Sequence, residues 1–369
     1  MHMAKGGSLS INIKKGKVRE ALRNPIDVLN SLKSKAGNEG YHYERLYRNL
    51  YNEEFYLLAY QNVYASEGNM TAGADGKTID GMGMDRIQKL IEKMKDHSYQ
   101  PNPARRTYIE KKNGKKRPLG IPSFDDKLVQ EVVRLILESI YEPTFSNLSH
   151  GFRPNRSCHT ALQQIQGTFT GVKWFIEGDI YGFFDNIDHT VLINILRRRI
   201  HDEYFIALLW KFLKAGYVED WTFHNTYSGT PQGSIISPIM SNVYLNELDR
   251  YMEIYMKEFE CGKKRQKSEE YASWEQKLKY LRYKLYAKDK WADMTAEERK
   301  AANDRIHAIR SEMLKCEYSN PQDSGYRRLF YVRYADDWLC GVTGSKQDAE
   351  EIKADIKRFL SETLKLELS

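Results

Sequence analysis

Cysteine is scarce in this chain: four in 369 residues, at positions 158, 261, 316 and 340, with no C-x-x-C pair. That spacing argues against a disulfide framework or a structural zinc site, and it fits a reducing compartment such as the cytoplasm or an organelle interior. Long apolar runs are also missing, and no stretch of about 18 apolar residues could cross a bilayer as a helix. The opening MHMAKGGS has neither a signal-peptide apolar region nor transit-peptide chemistry, and residues 1–10 read as an expression leader. Internal repeats and low-complexity tracts are absent. So is a strong excess of one charge: 57 Lys and Arg against 50 Asp and Glu leave +7, so the placement of charge matters more than its total.

Positions 251–315 contain no proline and one glycine but are dense in Lys, Arg and Glu, the pattern of one or two long solvated helices inserted into a domain. Before them, RRTYIEKKNGKKRPLGIPSF reads as a hairpin turning at Asn113-Gly114, and DDKLVQEVVRLILESIYEPTF as an amphipathic helix starting after Ser123. WFIEGDIYGFFDNID reads as a buried strand breaking into a turn, and GTPQGSIISPIMSNVYLNELDRYM as a loop leading into a helix. DAEEIKADIKRFLSETLKLELS reads as an amphipathic helix and then the start of a strand, which gives the chain the look of a truncated domain.

In RLFYVRYADDWLCGVTG both flanks alternate like strands, which places Asp336 and Asp337 at a hairpin tip. Asp179 ends another apolar strand, far away in the chain. Two like charges on one turn cost stability unless a cation sits there. Nucleotidyl transfer supplies such a reason, because it uses two Mg²⁺ ions ~3.5–4 Å apart held by carboxylates. Strands ~4.8 Å apart would let a strand-end Asp and a hairpin Asp share an ion. An isolated Asp-Asp is more often just a turn, since Asp favours turns. The other motifs shift that balance.

Taken in order, KKNGKKRPLGIPSFDDKLVQEVVRLILESIYEPTF (111–145), SHGFRPNRSCHTAL (149–162), GDIYGFFDNIDH (178–189), SGTPQGSIISPIMSNVYLNELD (228–249) and YADD (334–337) resemble the reverse transcriptases of group II intron-encoded proteins, the maturases. AYQNVYASEGNMTAGADGKTIDGM looks like the extension these enzymes carry ahead of their fingers, and the resemblance covers roughly residues 41–369. It implies an α/β (α+β) fold of right-hand type: mainly helical fingers with a β-hairpin, and an antiparallel palm sheet backed by helices, without the thumb. The implied boundaries are 11–100 for the N-terminal extension and start of the fingers, 101–175 for the fingers and 176–250 for the palm. The charged insertion would then span 251–325, with the rest of the palm at 326–369.

The resemblance also implies roles. Asp179, Asp336 and Asp337 would be catalytic and hold two Mg²⁺ ions, with Asp337 the less direct ligand. Lys111 and Arg117 would clamp the triphosphate of a dNTP, with Lys112, Lys115 and Lys116 as competitors. Phe184 would lie beneath the sugar and disfavour a 2′-hydroxyl, although Phe183 is adjacent and strand alternation would send one of the two into the core. Gln232 and Gly233 would lie near the nucleotide. Arg153 and Arg156 either touch the template backbone or are ordinary surface charges. Asp185 and Asp188 read as caps or surface residues, and Ser157 and Cys158 as structural, the cysteine buried.

The implied activity is RNA-directed DNA synthesis on an RNA template with a DNA primer, together with binding of group II intron RNA in splicing and retrohoming. The alternative is an RNA-binding splicing module that does not polymerise, because the thumb is missing. An RNA-making or retron-type enzyme fits less well, given YADD, Phe184 and the N-terminal motif. A missing thumb would expose apolar surface, which leaves a homodimer open. Lys14, Lys15 and Lys17, followed by Tyr41, Tyr43, Tyr47 and Tyr51, suit an RNA-facing surface of phosphate contacts and stacking rings, although the tyrosines could instead pack a helical core. Replacing the three lysines with glutamate should lower RNA affinity and flatten its salt dependence in filter binding. Unchanged affinity and slope would remove the assignment.

Overall fold

A computed structural model describes residues 23–66, 68–110, 114, 116–230, 233–287, 290–320 and 323–369. In chain order the described elements are helices α1 (Pro25–Ser34), α2 (Glu53–Tyr64) and α3 (Met84–Lys95), strands β1 (Ala104–Glu110) and β2 (Lys116–Ile121), and helix α4 (Phe124–Tyr141). Then come α5 (Cys158–Thr168), β3 (Trp174–Gly178), α6 (Phe183–Asn186), α7 (His189–Arg197), α8 (Glu203–Leu213), β4 (Tyr217–Glu219) and β5 (Thr222–His224). The long α9 (Ser237–Phe259) leads to α10 (Glu269–Tyr286), α11 (Lys290–Asp293) and α12 (Ala296–Lys315). The hairpin β6 (Arg328–Tyr334) and β7 (Asp337–Thr343) and helix α13 (Lys346–Thr363) follow. Among the described residues no helix is long and apolar enough to cross a membrane.

The chain divides into two compact units. One runs to Pro143 and adds Arg197–Asn225 and Gly233–Ile236; the other comprises Thr144–Leu196, Thr226–Gln232 and Ser237–Ser369.

In the first unit α4 is the central helix. Ser123 caps its start by accepting from Asp126 N, and Leu128, Val129, Val132, Val133, Ile136, Leu137 and Ile140 are completely buried. Helices α1 and α2 pack on it. A sheet of order β2-β1-β4-β5 completes the unit, with β1/β2 and β4/β5 antiparallel and β1/β4 parallel. The expected hairpin is present as β1 and β2; Asn113 lies outside the described residues. The returning segment is tied in by Tyr43, whose N–H donates to Arg199 O and whose carbonyl accepts from His201 N. Tyr43 and Tyr47 are buried and donate their hydroxyls to Leu32 O and Met94 O, so these two rings pack the helical core.

The second unit holds an antiparallel sheet of order β3-β7-β6, with α5 and α9 against β6 and α13 against β3. Strand β3 is less buried than its sequence predicts. It is an edge strand, so Trp174, Phe175 and Glu177 stay exposed while Ile176 and Gly178 turn inward. The charged insertion is helical as expected: α10 and α12 pack around a small core of Leu278, Ile306 and Met313. LKLELS contributes one bridge, Leu368 to Ile180, rather than a full strand. Cys158 is exposed, against expectation: Ser157 and Thr160 form a capping box at the start of α5, which leaves the next residue facing water.

Within the sheet, Gly178 pairs with Trp338. A methyl group on Gly178 would lie 2.0 Å from the Trp338 ring, which is itself buried. Gly178→Ala should therefore lower the unfolding free energy by about 1–3 kcal/mol through overpacking, read as a lower urea midpoint at constant m-value.

Candidate active site

Three aspartates meet at one end of the β3-β7-β6 sheet. Gly178 opposes Trp338, so the next step along the ladder sets Asp179 beside Asp337. Tyr334 pairs with Asp337, leaving Ala335 and Asp336 as a two-residue turn. Ala335 has φ +56°, where a residue with a Cβ gives up about 1–2 kcal/mol. The turn is held from two sides. Arg333 Nη1 donates to Ala335 O at 2.6 Å, and Gly151 approaches so closely that a Cβ there would lie 2.2 Å from Ala335 N. Asp179 is held through its backbone, its carbonyl accepting from both the N–H and the hydroxyl of Ser369 at 2.9 Å.

Burial first, then the charges of Asp336, Asp179 and Glu177, raise the Asp337 pKa above its ordinary value. These are hard oxygen donors of the kind Mg²⁺ takes. Among the described residues, no group of three His, Cys, Asp or Glu side chains is drawn together closely enough to hold an ion as it stands.

Phe183 and Phe184 are separated by a one-turn helix, α6, and not by strand alternation. Phe183 is buried against Tyr244, while Phe184 is half-buried with its edge toward the exposed ring of Phe152. The outward residue is the expected one, for a different reason. The Ser228–Thr230 loop presses on its backbone: Thr230 N donates to Phe184 O at 2.7 Å, and Gly229, at φ +83°, leaves no room for a Cβ. Asp188 caps α7 by accepting from Val191 N, and Asp185 is exposed.

Arg153 is buried and donates to the carbonyls of Ser146 and Ser149; Arg156 donates to Asn147 and Ser149. Both guanidiniums thus hold the loop at 146–149.

In the first unit Arg117 is exposed on β2, opposite Ile109. Gly233 has φ +102°, and a Cβ on it would sit 2.9 Å from Gly120 O. The next residues are anchored by buried Gln130, which accepts from Ser234 Oγ and Ile235 N. A cavity of about 540 Å³ borders Gly120 and Gly233 and is lined also by Lys127, Glu131 and Arg134. Lys14, Lys15, Lys17, Lys111 and Gln232 lie outside the described residues.

A family model described as "Reverse transcriptase (RNA-dependent DNA polymerase)" matches residues 109–283. The Group II intron-encoded protein LtrA of Lactococcus lactis subsp. cremoris is 45% identical over 328 residues, 89% of this chain and 53% of its own. An "Uncharacterized 91 kDa protein in cob intron" of Schizosaccharomyces pombe is 42% identical over 85% of this chain and 38% of its own. Protein YkfC of Escherichia coli K12 is 35% identical, over 88% of this chain and 77% of its own. The chain belongs to the group II intron reverse transcriptases. It spans about half the length of the Lactococcus relative.

In this member of the family the sequence motifs missed what supports the aspartates. Arg333, two residues before the turn, and Asp249, at the end of LNELD, form a fully buried pair, Nη2 to Oδ2 at 2.6 Å. The available signal was an arginine at an inward position of an otherwise apolar strand. The bracing of Asp179 by residues 367–369 had no signal beyond an apolar alternation.

The crowding at Asp337 has a thermodynamic signature. A carboxyl with a higher pKa folded than unfolded binds its proton more tightly when folded. Its contribution is most favourable below the unfolded value of 3.8 and is lost as pH rises through the raised one. Asp337→Asn should remove that loss. In EDTA at pH 7 the variant should melt above wild type, with the gap closing below pH 3.8; calorimetry across pH checks this. Added Mg²⁺ should raise the wild-type Tm more than the variant's.

Proposed function

We propose that the chain is the polymerising part of a group II intron reverse transcriptase, extending a DNA primer on intron RNA with dNTPs. The observation that carries this is the meeting of Asp179, Asp336 and Asp337 at one sheet end, with the charged form of Asp337 disfavoured by burial and then by its neighbours' charge. When bound there, two Mg²⁺ ions would activate the primer 3′-hydroxyl and neutralise the triphosphate. Asp179 and Asp336 would be their principal holders, drawn together by rotamer changes that the exposed end of the sheet permits, with Asp337 completing the set.

The rest of the chain binds and orients. Phe184 presents a ring held from behind by Phe183 and the Ser228–Thr230 loop, a rigid floor for a sugar that lacks a 2′-hydroxyl. Lys111 and Arg117 on the hairpin arms would compensate phosphate charge as it develops. Gln232 and Gly233 would border the nascent base pair, with the neighbouring cavity and its Lys127 and Arg134 on the template side. Lys14, Lys15 and Lys17 would hold intron RNA for splicing and retrohoming. Arg153 and Arg156 act on this reading by shaping the loop at 146–149, and any template contact passes through that loop. The first unit corresponds to the fingers and the second to the palm. The reaction would take place in the cytoplasm or an organelle interior, by a monomer or a homodimer.

The alternative reading is RNA binding in splicing without polymerisation. Primer extension on an RNA template with dNTPs and Mg²⁺, run beside Asp336→Ala with RNA affinity measured for both, separates the two. Extension that falls at least about 1,000-fold in the variant, with RNA affinity unchanged, is expected if carboxylate-bound metal supplies about 4 kcal/mol or more of transition-state stabilisation. Absence of extension by either protein, with tight salt-sensitive RNA binding by both, would leave the second reading.

A further inference from the structure

We propose that Arg333, paired with Asp249, is a positioning residue for the aspartate turn, setting where Asp336 is presented to metal. The inference rests on the polymerase reading above.

The Arg333 guanidinium is completely buried, and each of its five N–H groups has its own acceptor. Nε donates to Asp249 Oδ1 at 2.7 Å and Nη2 to Asp249 Oδ2 at 2.6 Å. Nη2 also reaches Ser149 Oγ at 2.8 Å, and Nη1 reaches Asn242 Oδ1 at 3.2 Å. The fifth bond, Nη1 to Ala335 O at 2.6 Å, leaves the cluster and grips the peptide that leads into Asp336. Tyr331 donates its hydroxyl to Asp249 Oδ1 at 3.0 Å, fixing the carboxylate from the neighbouring register.

Stability alone does not explain this arrangement. Well-packed apolar residues of similar volume commonly replace a buried ion pair at no loss, or with a gain. The pair is also neutral overall, so it does little to offset the aspartates' charge. What an apolar pair cannot do is hold a carbonyl. Ala335 sits at φ +56° in the turn that presents Asp336, and the Arg333 bond resists that backbone strain. Arg333 thus stands one shell behind the aspartates, as groups that orient metal ligands generally do.

Two variants separate positioning from packing. Arg333→Lys keeps the charge but loses the planar fork. Arg333→Met with Asp249→Leu removes the pair without stranding a buried charge. For each, urea unfolding gives stability and electron paramagnetic resonance gives Mn²⁺ affinity of the free protein. Primer extension gives the Mg²⁺ concentration for half-maximal rate. Folded Arg333→Lys should bind Mn²⁺ about 10–100-fold more weakly, with the Mg²⁺ requirement raised to match. The double variant should be more stable than Arg333→Met alone, which strands the Asp249 charge, and should still bind Mn²⁺ weakly. Wild-type Mn²⁺ affinity in either folded variant would overturn the proposal and leave Arg333 as core packing alone. Wild-type protein binding Mn²⁺ no better than Asp336→Ala would also overturn it. Mn²⁺ affinity that follows Arg333, in proteins none of which extends a primer, would sustain the positioning role and sink the polymerase reading.

Discussion

A guanidinium cut off from water costs free energy for every N–H left without an acceptor, and at Arg333 meeting that need organises the second unit. Arg333 meets it by drawing on Asp249 and Asn242 from α9, Ser149 from the loop before α5, and Ala335 from its own hairpin turn. These groups come from stretches distant in the chain, and a shift of any one would strand a buried polar atom at a cost of about 1–3 kcal/mol. The hairpin, α9 and the loop are therefore fixed as a set. That loop is stiffened in turn by Arg153 and Arg156, and its Gly151 lies against the turn. Polar bonding supplies the specificity here that apolar packing does not.

The aspartate end is the expensive part of the structure. It combines a residue at positive φ, a carboxyl with a raised pKa and two backbone approaches that only glycine allows. Gly178 leaves room for the Trp338 ring where β3 meets β7, and Gly151 against Ala335 closes the turn from outside. Strain of this kind persists where the surroundings over-determine it, and such places are often functional.

Much of this was legible in the sequence. Alternation bounded β6 and β7, Ser123 marked the start of α4, and the proline-free charged stretch announced α10 and α12, because each signal is local. Phe184 is the outward residue of the pair through a different element from the strand the alternation implied, since a four-residue helix after a glycine is too short to leave a period. Strand β3 read as buried because apolar residues on an edge strand look the same in sequence as apolar residues in a core. Alternation marked Arg333 as inward, but nothing local named its partner Asp249, 84 residues away. Cys158 failed in the opposite sense: a small apolar-looking residue became exposed because a capping box dictated which way the first turn of α5 faces.

The bonds from Ser369 to the Asp179 carbonyl also bear on timing. They close a loop of 190 residues, so during synthesis the first aspartate waits for its support. At translation rates of 5–20 residues per second that delay is roughly 10–40 s. For most of that interval the Asp179 segment lacks its strand partner β7, and through all of it the brace. The three carboxylates can meet only after β7 has been made.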